Sequence, residues 1–563
     1  MQQRAIAVWG MVLGAIPAWA QRAHAGSSDA VKAIEWNARN AEHLANRAGF
    51  GARPEEIEAA VKMGLDGFVD ELFRPDESAP PFYVERFEQM PRRRMMELTP
   101  DEKREQEREY REQDRKQLID FSSWWFDRMS ESRAVLQERM VLFWHGFFTT
   151  AAENGNASFE VIKQNQMVRE HALGSYARLL RGMARDAAML HYLDNQVNRK
   201  GSPNENFARE LLELFSLGEG NYTERDVKEA ARALTGRSEK NGAYFFEKKT
   251  HDDGEKTVLG VTGRLDGDEV VDILLKQDAC ARHVARRLIV HLEGLEPAPV
   301  RLERYAKLLR ASDYEMAPFL RTLFKDPDFY RDEVIGARVQ GPIEYLVGIA
   351  RRLKIRVPAA MLGTGAAMLG QRIFYPPSVK GWDEGESWIT TATLMQRGNL
   401  AGLMLGVVKV EDMFAQGDLT KLMADAPAPS GGMVAGDGAR AAPPENGGEK
   451  PKLGAAGLKA GAAGYRALKK VELAGWSPVL HFTARMQSTS SRTDAQIVER
   501  MCDDLLAIRV PDDTRLELRE FLTQERALIG VRDGALLDAG DPCERLLRRL
   551  AHLILSLPEA QLS

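Results

Sequence analysis

The sequence predicts a mainly α fold, a large multi-helical domain interrupted by short loop or hairpin insertions. Three observations carry this. Apolar residues recur at helical spacing through most of the chain, start and stop residues flank those stretches, and extended candidates are confined to Tyr244 to Lys248 and Thr257 to Val261. The signals are fullest between Ser202 and Gly236. Ser202 reads as an N-cap, Pro203 as the first helical position, where its missing N–H costs nothing, and Glu205 as the residue that closes a capping box. Phe207, Ala208, Leu211, Leu214 and Phe215 form one apolar stripe, with Asn206, Arg209, Glu210 and Glu213 on the complementary face. Gly218 and Gly220 end that helix. Thr223 and Asp226 then repeat the cap signal, with Arg225, Glu229 and Arg232 free to share one side of the next helix before Gly236. Two carboxylates and an arginine on one helix face suit a divalent metal, an acid–base pair or an anion clamp. A solvated face held by ion pairs worth about 0.2–0.5 kcal/mol each fits the same spacing, and spacing alone favours it.

The chain has 563 residues and a formal net charge of -5, enough length for a large core and too little charge to point to nucleic acid or an anionic membrane. Residues 1–25 have the form of a secretory signal peptide: Arg4, an apolar run from Ala5 to Trp19, and small residues at Ala18-Trp19-Ala20 or Ala23-His24-Ala25 for cleavage. The mature protein is therefore expected in the periplasm or outside the cell. No later stretch is apolar enough to span a bilayer. Cys280, Cys502 and Cys543 make no disulfide framework, although a Cys502–Cys543 bridge is open to an exported chain.

Residues 26–423 read as the main helical domain. Glu35 to Phe50 and Pro54 to Phe73 are its first helices, with His43 as a packing or surface residue. Residues 99–120 interleave acids and bases as an exposed helix does, and Trp124, Trp125 and Phe126 then take it into the core. Arg133 to Phe148 is the most apolar helix and surrounds His145, an imidazole that must find a partner; Glu138 is one candidate. Val161 to Met189 supplies two helical segments. His251-Asp252-Asp253-Gly254 reads as a turn between the extended candidates, although a base-and-orienter pair is the alternative. Helices follow at Gly267 to Leu275, Ala279 to Leu292, Arg301 to Ala311, Met316 to Phe324 and Ile343 to Leu353. Gly370 to Trp382, broken by Pro376-Pro377, is a loop that can line a pocket or plug a core, and Thr390 to Gly406 returns to helix. The Ala/Gly/Pro-rich residues 424–464 read as a disordered linker, and residues 465–563 as C-terminal helices that pack back on the main domain.

There is no GxSxG, HExxH, dinucleotide-binding or P-loop motif, which leaves carboxylate, histidine or metal-assisted chemistry as the enzymatic case. Together the segments resemble the DUF1800 family of secreted bacterial proteins. The resemblance runs through His43 to Gly51, Glu138 to His145, Pro203 to Leu214, Ala231 to Gly236, His251-Asp252, Lys256 to Gly260, Phe374 to Trp382 and Ser556 to Gln561. Two positions depart from it: Phe147 stands where relatives commonly carry a second histidine, and Arg237 replaces a frequent tryptophan. The resemblance implies as partner a secreted protein of the alkaline-phosphatase and sulfatase kind.

One functional expectation follows from the residues: His145, Glu210, Glu213, Asn206 and Arg209 as catalytic groups, with Arg232, His251, Gln371, Lys380 and Trp382 binding substrate. One carboxylate would be a base or a metal ligand, His145 a ligand or proton carrier, and Arg209 or Lys380 an anion clamp. The substrate would be an extracellular polymer, and a divalent metal is the candidate cofactor. The alternative is a non-enzymatic binding or assembly protein in which the same groups form a satisfied polar core.

Overall fold

The computed structural model describes residues 34–414 apart from 77, 79, 88–91 and 153–157, and residues 455–563 apart from 490. The expected signal peptide, and residues 424–454 of the expected linker, lie outside the described residues.

The helices in chain order are α1 (Ala38–Ala48), α2 (Pro54–Leu72), α3 (Arg92–Glu97), α4 (Pro100–Glu131), α5 (Val135–Phe147), α6 (Ser158–His171), α7 (Tyr176–Met183), α8 (Ala187–Tyr192), α9 (Asn206–Leu212) and α10 (Glu224–Ala233). Two hairpins follow, β1 (Arg237–Lys240) with β2 (Ala243–Phe246) and β3 (Lys256–Val258) with β4 (Val261–Gly263). Then come α11 (Gly267–Lys276), α12 (Asp278–Glu293), α13 (Pro299–Ala311), α14 (Met316–Phe324), α15 (Pro342–Leu353), α16 (Ala359–Met368), α17 (Thr391–Met404) and α18 (Val410–Phe414). The last set is α19 (Ala455–Leu473), α20 (Phe482–Gln487), α21 (Asp494–Leu505), α22 (Asp512–Leu528) and α23 (Asp541–Leu555). The fold is mainly α with short strand insertions.

Several elements form for the reasons legible in their sequence. Thr99 and Glu102 close a capping box on α4, exposed pairs such as Arg111–Glu107 and Lys116–Asp120 follow along its surface, and its last third buries Phe121, Trp125 and Phe126. Thr223 and Asp226 do the same for α10. The last residues bond to α15, α17 and the segment before α15: the Tyr345 hydroxyl donates to the Leu555 carbonyl at 3.1 Å, and buried Arg397 donates to Gln561 Oε1 at 3.1 Å and to the Gln340 carbonyl at 2.8 Å. Buried Arg47 likewise joins α1 to the carbonyls of Leu292 and Val334, and His43 is buried against the Phe329 carbonyl.

Other elements differ from expectation. Ser202 is not a helix cap; it pairs with Arg199, and α9 starts at Asn206, whose N–H is taken by Asn204 Oδ1. The displacement has a cause, because buried Asn198 accepts the Asn204 N–H and so holds residues 198–204 in a turn. The helix then widens into a π turn, Glu213–Leu217, before Gly218 at φ 79° ends it. The strands form two separate hairpins, with His251-Asp252 between them. Helix α19 begins at Ala455, inside the stretch read as linker, where Ala, Leu and Lys are strong helix formers. All three cysteines are buried free thiols, so Cys502 and Cys543 do not pair. Among the described residues no helix is long and apolar enough to cross a membrane.

The loop between α16 and α17 threads onto α5. The Phe374 N–H donates to His145 Nε2 at 3.3 Å, the Phe374 carbonyl accepts from Ala152, and Gly381 lies so close to Gly146 that a Cβ there would strike its carbonyl. That contact fixes where Trp382, Glu384 and Trp388 stand.

Candidate functional site

Most of the groups expected at the site are held by partners within the chain. Arg209 clamps Glu224 through two 2.8 Å bonds and reaches Glu205 at 3.3 Å. Glu213 accepts a 2.6 Å hydrogen bond from Tyr222. Glu210 is half-buried; burial and Glu213 push its carboxyl up, against the pull of Lys380 and Arg209. Asn206 and Lys380 are exposed. Arg232 binds Asp252 and Glu229, and its hydrogen bonds are the main reason the Asp252 carboxyl lies at about 2. His251 is buried with Nδ1 2.9 Å from the Thr235 carbonyl and makes no pair with Asp252.

His145 stands in an aromatic box of Trp125, Phe374 and Trp382, and burial pushes it down to about 4. Its partner is the Phe374 N–H, not Glu138. The Glu138 carboxylate, itself fully buried, is taken by Arg128, Arg169 and the Trp125 indole N–H. Phe147 points elsewhere on α5, against Trp144 and His283 with Arg287 over its ring. Two residues along a helix are turned about 200° apart, so histidines at 145 and 147 could not close on one ion. Among the described residues no group of three or more His, Cys, Asp or Glu is placed to hold a metal.

A cavity of about 200 Å³ opens beside this loop, and of the expected residues it is lined by Gln371 and Trp382. Its other walls come from α5 (Leu142, Phe143, Gly146), α12 (Arg287, Val290, His291), the segment before α15 (Arg338, Val339, Gly341), Glu344 on α15, and Asp383, Glu384 and Trp388. Gln371 is a support there, since its Oε1 accepts the Ile343 N–H at the start of α15.

The electrostatics of the cavity are built in two layers. Glu344 receives both Arg338 nitrogens and Arg139; burial opposes its charge, yet the two guanidiniums hold its carboxyl well below the usual range. His291 Nδ1 lies 3.2 Å from Glu384 Oε1, while its Nε2 is buried with no partner. Burial, helped by the Arg139 charge and opposed by Glu384, pushes His291 down to about 4. The imidazole is therefore neutral at pH 7. A carboxylate can only accept, so Nδ1 carries the proton and Nε2 keeps its lone pair. Burial also works against the Glu384 charge, but His291, Arg338 and Arg287 bring it to about 2; with 46% of that side chain exposed, water screens the pull.

Two further lining groups are unspent. The Trp382 indole N–H is buried without an acceptor. Arg287 lies over the Phe147 ring at 5.3 Å and, among the described residues, makes no hydrogen bond or ion pair. Arg139, Arg287, His291, Arg338, Glu344 and Glu384 were not legible as a site. The signal that could have found part of it is the row His283, Arg287 and His291, four residues apart along α12.

No curated protein and no solved structure matches the chain. The family model described as "Protein of unknown function (DUF1800)" matches residues 43–562, from the buried histidine of α1 to the segment that docks beside Arg397, and the chain therefore belongs to the DUF1800 family.

Proposed function

We propose that the protein is an exported carboxylate–histidine enzyme acting on an extracellular polymer, with His291 and Glu384 as the pair that moves the proton. One observation carries the reading: a neutral imidazole oriented by a carboxylate, its other nitrogen unpartnered, on the wall of a cavity. In that arrangement Nε2 takes a proton from a water or a substrate hydroxyl, and Glu384 stabilises the imidazolium that forms. Trp382 and Arg287 line the same space.

The test is the release of new chain ends when the purified chain is incubated with a panel of extracellular polymers. His291→Asn keeps a donor toward Glu384 but removes the basic nitrogen, and is expected to cut turnover by about 10²–10⁴-fold. Glu384→Gln is expected to lower it at least tenfold. Cleavage that survives His291→Asn unchanged would falsify the reading.

A second reading, a non-enzymatic assembly protein working with a secreted phosphatase- or sulfatase-like partner, is favoured by the spent state of Arg209, Glu213, Arg232 and His251. It expects no polymer to be cut by the wild-type chain, and a stoichiometric complex with such a partner in gel filtration.

A further inference from the structure

We infer that the cavity takes the oxyanion of one acidic saccharide unit, a ring carrying a carboxylate or a sulfate ester. The inference rests on the preceding section for the location of the site and adds the class of its ligand.

The charge comes first. Arg287 and Arg338 line the cavity with Glu344 and Glu384, and Glu344 pairs with both Arg338 and Arg139, the latter behind the wall. Glu384 is turned to His291, which leaves Arg287 as a guanidinium without a bonded counter-charge on the cavity wall. The third lining carboxylate, Asp383, is exposed to solvent. A half-buried guanidinium offers a planar fork of donors that matches a carboxylate or sulfate and gains most where water is partly excluded. Arg287 is already fixed in place by its stacking on Phe147, so little further ordering is needed.

The rest of the wall describes what the anion is attached to. Trp382, Trp388 and Phe143 line the same cavity and give it flat apolar faces, while the Trp382 N–H and the His291 lone pair are a donor and an acceptor awaiting partners. A hydroxylated ring satisfies all of these at once: its C–H faces lie on the indoles and its hydroxyls serve as acceptor and donor. At about 200 Å³ the space falls short of the roughly 300–1,000 Å³ that encloses drug-sized ligands, so it receives a single unit and not a run of chain. A neutral sugar would fill the volume but leave the Arg287 guanidinium with only the unbonded charge of Glu384 across from it, and so without the paired hydrogen bonds that a carboxylate or sulfate gives.

Titration calorimetry on the full chain tests this with glucuronate, N-acetylglucosamine 6-sulfate, glucose and inorganic sulfate as probes. At least one acidic sugar is expected to bind saturably and at least tenfold more tightly than glucose. Arg287→Gln should weaken the acidic sugars at least tenfold, with Arg287→Lys intermediate. Trp388→Ala, at a half-buried ring, should weaken acidic sugars at least fivefold and leave inorganic sulfate unchanged. No binding of either acidic sugar, or glucose binding as well as they do, overturns the inference, and so does inorganic sulfate binding as tightly as the sulfated sugar. Because the readout is binding alone, polymer turnover without acidic-sugar binding sinks only this inference, and binding without turnover sinks only the enzymatic reading.

Discussion

Burial holds the imidazoles of His43, His145, His283 and His291 below their ordinary value, and for His145, His283 and His291 the position reached is about 4. Each is neutral in the folded chain and free to charge when unfolded. Between about pH 6.5 and 4 each of these imidazoles binds its proton more readily in the unfolded state, and its contribution to stability is lost as the pH falls through that window. A single imidazole shifted that far contributes on the order of 3 kcal/mol by its lower end. Burial raises the Glu42 and Asp186 carboxyls to about 7, and these gain stability as the pH falls from about 8 toward 5, so the urea midpoint follows the difference between the two sets and the histidine share is read by comparing variants. His145→Gln keeps a side-chain oxygen to accept the Phe374 N–H but does not titrate, so it should remove the His145 share of the acid slope whatever it does to stability at neutral pH. Equal slopes in the two proteins would show that the His145 proton is not linked to folding.

The helices of this chain were largely readable because their caps and apolar stripes are local. Met316–Phe324 lies where the periodicity placed it, and α4 turns from an exposed ion-paired face into a buried aromatic one at the residues that change character. Where the reading failed, a non-local bond was responsible. Ser202, Pro203 and Glu205 spell out a capping box, yet buried Asn198, itself bonded to the Ala231 carbonyl of α10, claims the Asn204 N–H and delays the helix to Asn206. The π turn after Leu212 is likewise invisible in sequence, since it is supported by His283 from α12 bonding the Leu214 carbonyl. These two starts can be told apart in solution. Thr223→Ala removes an observed cap from α10 and is expected to cost about 1 kcal/mol in urea unfolding. Ser202→Ala, at an exposed position outside any helix, should change stability by less than about 0.5 kcal/mol. A Ser202→Ala loss as large as that of Thr223→Ala would restore the capping box that the fold lacks.

The cavity was not readable for a different reason. His291 and Glu384 are 93 residues apart, and Glu344 meets Arg139 from another helix altogether, so each looks in its own stretch like an ordinary charge on a helix or loop. Gln371 and Trp382 were found only because the Pro-Pro loop announces itself. What brings the walls together is the packing of the C-terminal segment. Arg397, with no exposed surface, bonds Gln561 and the Gln340 carbonyl, stacks on Tyr345, and so ties residues 556–562 to the strand-like segment whose Val339 and Gly341 line the cavity. Gln340 adds two more bonds to the same segment, to the carbonyls of Gln561 and Leu562. Arg397→Ala is therefore expected to cost about 2–4 kcal/mol, from two lost buried hydrogen bonds and the space left by the side chain. Hydrogen exchange should rise together at residues 339–341 and 556–562, while α6 and α7, remote from the tie, keep their protection. If exchange rises in residues 556–562 alone, the C-terminal segment covers the cavity wall without supporting it, and ligand affinity in Arg397→Ala should then equal that of the wild type.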